Sequence, residues 1–128
     1  MDLGFTRVTD VSLKAISSLK KLEKLSLNGL EISDKGVSLL VNHESLSSVD
    51  LSGTQVTDAG VKNLCSIKRL ESAYLNSTTV SNKCLDDLSG VRTLRHLGVS
   101  LSSVTPGAVD RLRLKMPLCV VDNLQKQK

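Results

Sequence analysis

VDLSGTQVTDAGVKNL, Val49 to Leu64, packs a strand, a turn and a helix into one short stretch. Val49-Asp50-Leu51 alternates: the two aliphatic residues face one side and Asp50 the other, as a half-buried strand requires. A small polar run follows, and Val56 returns the chain to the apolar side. Thr57 stands where a helix needs an N-cap, and its hydroxyl can accept a bond from a free backbone N–H. Asp58 falls in the first helical turn, favourable against the helix dipole. Val61 and Leu64 then share one helical face at i, i+3.

The pattern recurs. Leu22, Leu46, Leu70, Leu94 and Leu118 each stand 24 residues after the last. Other columns keep the same step: Leu25, Val49, Ala73, Leu97, Val121; Leu3, Leu27, Leu51, Leu75, Val99; Val8, Ile32, Val56, Val80, Val104. Two helical columns run Leu13, Val37, Val61, Leu85, Val109 and Ile16, Leu40, Leu64, Leu88, Leu112. One strand and one helix per repeat cannot bury their apolar faces alone, so neighbouring repeats must stack. The expected fold is α/β: a right-handed solenoid of about five 24-residue strand–helix coils, with a parallel sheet on the concave side and helices outside. In the last copy Thr105 precedes Pro106, and proline suits the first helical position. Ser12, Gly36, Gly60, Cys84 and Ala108 form a column of small residues. It predicts close approach of adjacent helices, with a bulky residue at Gly60 forcing the coils apart.

Composition agrees. A chain of 128 residues, 40% hydrophobic and 23% charged, fits one globular array. Aromatic residues make up 2%, Phe5 and Tyr74 alone, so the core must be thin layers of Leu, Val and Ile. A net charge of +4 is too mild to point to nucleic acid. The three cysteines, Cys65, Cys84 and Cys119, are odd in number and form no CxxC. They suggest free thiols in a reducing compartment, cytosol or nucleus. No apolar run is long enough to span a bilayer, and residues 1–16 hold no signal-peptide core.

Residues 1–128 read as a single array, with 113–128 as C-terminal cap and tail. There Asn123 replaces the Leu75/Val99 type, and the polar QKQK follows. Met1-Asp2-Leu3 aligns with Leu25-Ser26-Leu27, so the chain starts halfway through a strand. That predicts a piece of a longer array. The alternative is a short protein whose raw edge is covered by a partner or a second copy.

The pattern L-x-x-L-x-L-x-x-T-x-V-T-D-x-G-V-x-x-L resembles leucine-rich repeats of the cysteine-containing, ribonuclease-inhibitor-like class known from F-box substrate adaptors. The resemblance covers essentially the whole chain. Its usual Cys/Asn ladder position is Thr6, Leu30, Thr54, Thr78 and Ser102 here. Asn82-Lys83-Cys84 replaces Asp-x-Gly, which makes the fourth copy less regular. The resemblance implies protein recognition, often substrate selection for a ubiquitin ligase, and would place any F-box before the first coil.

Outward strand residues fall in rows on the concave face. One row is Asp2, Ser26, Asp50, Tyr74, Gly98; beside it stand Lys24, Ser48, Ser72, His96 and Asn28, Ser52, Asn76, Ser100. Most are small and polar. Tyr74 is the exception, a ring of the type enriched at interface hot spots. The candidate partner-binding residues are Tyr74, Asp50, His96, Lys24, Ser26, Ser72 and Asn76. Ser72, His96 and Asp50 could be mistaken for a triad, but an open face offers no nucleophile elbow or oxyanion donors. Cys65, Cys84, Cys119 and His43 lack metal-ligand spacing; packing accounts for Cys84, and His43 reads as a partly buried turn residue. Asn76-Ser77-Thr78 is a glycosylation sequon, meaningful only in a secreted protein. Lys20, Lys21, Lys68, Arg69, Arg92 and Arg95 gather where helices return to strands. Such a rim would suit an acidic partner or nucleic acid, but Glu23, Glu44 and Glu71 interrupt it and no aromatics interleave, so a solvated edge is favoured.

The expected function is non-catalytic: protein–protein interaction through the concave face, with neither cofactor nor metal. The alternative is a structural element of a larger assembly. Self-association through the N-terminal edge is a further expectation.

Overall fold

The computed structural model describes residues 1–4 and 6–124; Phe5 and the tail Gln125–Lys128 lie outside the described residues. Five short strands form one parallel sheet in chain order: β1 (Lys24–Ser26), β2 (Ser48–Asp50), β3 (Ser72–Tyr74), β4 (His96–Gly98) and β5 (Val120–Asp122). The register steps by one period at each pairing, Leu25 opposite Val49, Val49 opposite Ala73, Ala73 opposite Leu97 and Leu97 opposite Val121. Asp2 bridges Ser26 in the same sense, which extends the sheet beyond β1. Short helices return the chain on the other side: α1 (Leu13–Ile16), preceded by a 3-10 turn, α2 (Asp34–Ser38), α3 (Asp58–Leu64), α4 (Lys83–Leu88) and α5 (Pro106–Lys115). The expected solenoid is therefore present.

The core is a stack of aliphatic layers between sheet and helices. Leu27, Ile32, Leu40, Leu46, Val49, Leu51, Val56, Val61 and Leu64 are wholly buried. The column of Leu22 departs at the ends: Leu46, Leu70 and Leu94 are buried, whereas Leu22 is half-buried and Leu118 is 74% exposed. Arg113 reaches from α5 to this open edge, its Nη2 donating to the Val121 carbonyl at 2.9 Å.

Hydrophilic columns also join the coils. Each helix-initiating acid binds the N-cap of the next coil. Ser33 donates its N–H and hydroxyl to Asp10 at 2.9 and 2.5 Å. Thr57 does the same to Asp34 at 2.7 and 2.5 Å, and Ser81 to Asp58 at 2.8 and 2.5 Å. In the fourth coil an amide takes over: Thr105 N–H donates to Asn82 Oδ1 at 2.8 Å, and Asn82 Nδ2 donates to Thr105 Oγ1 at 3.0 Å. The Asp58 read from sequence as a dipole partner is thus also a clamp on the following coil. The Thr57 hydroxyl still accepts from Ala59 N–H at 3.3 Å, as an N-cap should.

The clamp explains the small-residue column. A Cβ on Gly36 would run into the Asp10 carboxylate, and one on Gly60 into Asp34 and into Val56 Cγ1 at 2.8 Å. It is thus the acid of the preceding coil, as well as the helix packing, that demands small side chains there. The irregular fourth coil keeps the buried Cys84 in this column and starts its helix later, with Asn82 as N-cap.

A second column closes the strand ends. Thr6, Thr54, Thr78 and Ser102 each donate a hydroxyl to the carbonyl three residues back, at 2.6 to 2.7 Å. Hydroxyls can therefore fill the ladder position by turning inward on their own coil. The residue before it adopts positive φ in four coils: Gly29 (75°), Gly53 (71°), Ser77 (56°) and Leu101 (55°).

Candidate functional site

Buried Leu25, Val49, Ala73, Leu97 and Val121 fill the middle of each strand, so their neighbours face outward. Two rows result. Lys24, Ser48, Ser72, His96 and Val120 stand side by side; Ser26, Asp50, Tyr74, Gly98 and Asp122 form the next row. The seven candidate residues share this face. Lys24 and His96 are exposed, and Ser26, Asp50, Ser72, Tyr74 and Asn76 are half-buried.

Tyr74 owes its position to Gly98. A Cβ on Gly98 would lie 3.1 Å from Tyr74 Cδ1 and 2.9 Å from Asn76 Oδ1. The missing side chain on β4 gives the ring a bed. Tyr74 lines two shallow depressions. One, toward the starts of the strands, also holds Lys24, Ser48, Glu71, Ser72, Arg95 and His96. The other, toward the strand ends, holds Asn28, Asp50, Ser52, Asn76 and Ser77. By sequence Glu71 and Arg95 are edge charges. Their place beside His96 and Ser72 follows from register, since each stands one residue before a concave-face position.

Several polar groups on this face are engaged by the fold. Asp50 Oδ1 accepts from Ser52 N–H at 2.9 Å. Asn76 Oδ1 accepts from Ser100 N–H at 2.8 Å, and Asn76 N–H donates to Ser52 Oγ at 3.2 Å. Ser72 pairs with His96 in register, but Asp50 pairs with Tyr74 and points its carboxylate at its own turn. Among the described residues no hydrogen bond links Ser72, His96 and Asp50. The sequon is held too: Asn76 is half-buried, and Thr78 is buried with its hydroxyl on Leu75 O at 2.7 Å.

Away from this face, His43 is more buried than its sequence reading. It is 5% exposed; Nδ1 accepts from Leu46 N–H at 3.0 Å and Ser45 N–H at 3.3 Å, and Nε2 lies 3.0 Å from Leu19 O. Two donors on Nδ1 leave Nε2 to carry the proton and donate across the coil boundary. Burial, then Asp87, pushes the Cys65 thiol up to about 11. Burial, then Asp58, pushes Cys84 up to about 12, and burial raises Cys119 against the opposing pull of Arg95. High values keep these thiols protonated, the opposite of an activated nucleophile. Among the described residues no three His, Cys, Asp or Glu side chains converge as a metal site would need. No helix among them is long and apolar enough to cross a membrane.

The comparisons agree with this geometry. A Leucine Rich repeat family model matches residues 42–65, one full period that contains all of the Val49–Leu64 stretch, with β2 and α3. The fold is that of a leucine-rich-repeat solenoid. Solved leucine-rich-repeat structures resemble it over most of its length. A leucine-rich-repeat protein of Leptospira interrogans superposes with a TM-score of 0.60 at 19% identity over 85% of this chain. An internalin (inlF) of Listeria monocytogenes gives 0.61 at 19% over 95%, and its internalin C2 gives 0.54 at 17% over 95%. This chain spans 27% and 40% of the length of the first two and 70% of the third. No curated protein matches this chain.

Proposed function

We propose that this leucine-rich-repeat chain is a non-catalytic protein-binding module and that its partner seats on the concave face around Tyr74. The carrying observation is the half-buried Tyr74 ring, bedded on Gly98 and lining both depressions of an otherwise small and polar sheet. A ring held in place loses little rotamer freedom on binding, while its remaining surface offers apolar contact area. Lys24, His96, Ser72 and Ser26 supply polar contacts around it, and Asp50 and Asn76, partly engaged by the fold, frame the second depression. The finer reading is the substrate-recognition part of a ubiquitin-ligase adaptor. The T-D-x-G-V repeat pattern supports it. Three free cysteines support a reducing compartment, cytosol or nucleus.

The test is affinity capture from cell lysate, read by quantitative mass spectrometry, with the native chain, Tyr74→Ala and a convex-side control, Lys62→Ala. The reading expects proteins retained by the native chain and Lys62→Ala and lost with Tyr74→Ala. Equal retention by all three would reject the concave face as the binding site.

A further inference from the structure

A third depression lies where helices α4 and α5 turn back into strands β4 and β5. Its lining includes Arg92, Arg95 and Lys115 above Leu94, Met116 and Leu118. Leu94 and Met116 are buried and form the floor; Leu118 is 74% exposed and forms a wall. The three cations are exposed, and among the described residues no carboxylate lines the depression. Among the described residues none of the three makes an ion pair, whereas Arg113 is paired with Asp110 at 3.4 Å. Arg95 is held in place by donating Nη1 to the carbonyls of Arg92 at 3.2 Å and Leu94 at 3.3 Å. Arg95 also lines the concave depression beside Tyr74, so the two surfaces are continuous.

We propose that this depression docks an acidic segment of a protein partner that carries one bulky aliphatic side chain. Three unpaired cations of one sign, around an apolar floor, complement carboxylates flanking an aliphatic residue. The lining has no aromatic ring on which a base could stack, which favours a peptide over a nucleic-acid strand. The inference rests on the protein-binding reading, and gives the partner a stated chemistry at a site outside the Tyr74 face. Carboxylates would set the on-rate and salt dependence, and the aliphatic anchor would set residence time.

The probe is a library of random 12-residue peptides displayed on phage and selected on the immobilised 128-residue chain. Selected peptides should be rich in Asp and Glu around one Leu, Ile or Met. By fluorescence anisotropy the double variant Arg92→Glu/Lys115→Glu should bind them at least about tenfold more weakly, as should peptides with Asn and Gln in place of Asp and Glu. Amide shifts on the native chain should centre on Leu94, Arg95, Met116 and Leu118, a readout that does not depend on how the variant folds. Failure to select peptides, selection without acidic residues, unchanged affinity of the double variant, or shifts centred elsewhere would overturn the inference. So would displacement of the peptide by a tighter-binding single-stranded oligonucleotide. Lysate capture separates the two proposals: loss with Tyr74→Ala but not with the double variant leaves the concave reading standing and removes this one.

Discussion

Asp34 and Thr57 lie in adjacent coils, and the Asp34 carboxylate accepts both the N–H and the hydroxyl of Thr57, at 2.7 and 2.5 Å. The same pair recurs at Asp10–Ser33 and Asp58–Ser81, so a polar seam runs along the helix starts beside the aliphatic core. Hydrogen bonds to a charged acceptor contribute about 1.5–3 kcal/mol. Asp34→Ala should therefore cost about that much in urea unfolding. Asp34→Asn should recover part of it, because Asn82 already makes this pair with Thr105. Equal stability of Asp34→Ala and the native chain would remove the seam from the account.

Gly60 sits under that seam, with Asp34 and Val56 where a side chain would begin. Gly60→Val should destabilise by about 1–3 kcal/mol through overpacking and lost clamp geometry. Gly60→Ala should cost less, since Ala108 and Cys84 occupy the same column elsewhere. Thermal unfolding of the two variants would check the order; a harmless Val would contradict it.

Leu101 is an exposed leucine at φ 55°, in a column where Gly29 and Gly53 adopt positive φ without side-chain clash. L-residues other than glycine pay roughly 1–2 kcal/mol in this region. Leu101→Gly should raise stability by up to about 1 kcal/mol, part of the relief being lost to greater freedom of the unfolded chain. A drop in the urea midpoint would mean that the leucine makes contacts that outweigh its strain.

Much of this was legible in the sequence. A step of one period fixes strand register once one apolar column is aligned, so the pairing of Val49 with Ala73 and the shared face of Tyr74, His96 and Lys24 followed from counting. The Asp clamp was not legible. Asp58 has an adequate local explanation at a helix start, and its second partner, Ser81, lies 23 residues away with no periodic oddity to mark it. His43 was harder still. A histidine in an aliphatic column looks like a compromise until its ring nitrogens are seen joining Leu46 N–H to Leu19 O. The bed that Gly98 provides for Tyr74 depends on a side chain's absence, which alternation counts only as a neutral position.

The thiols give a pH signature. Cys65 and Cys84 are raised from the ordinary 9.0 to about 11 and about 12, so the unfolded chain releases these protons first. Their contribution to stability is constant well below pH 9 and declines as pH rises from there toward the folded values. Cys84→Ala should show a shallower alkaline loss of stability than the native chain. At neutral pH a disulfide reagent should modify half-buried Cys65 before buried Cys84, and Cys84 only at the rate of unfolding. Rapid labelling of Cys84 in the folded chain would contradict its burial.

The most direct measurement replaces single residues with a photo-crosslinking benzophenone side chain, at position 74 on the concave face and at position 62 on the outer helix, and irradiates each in cell lysate. The account predicts a discrete crosslinked protein from position 74, weakened by Gly98→Arg, and none from position 62. A discrete product from position 62 with nothing at 74 would mean that the partner binds the helices and that the concave sheet is only a wall.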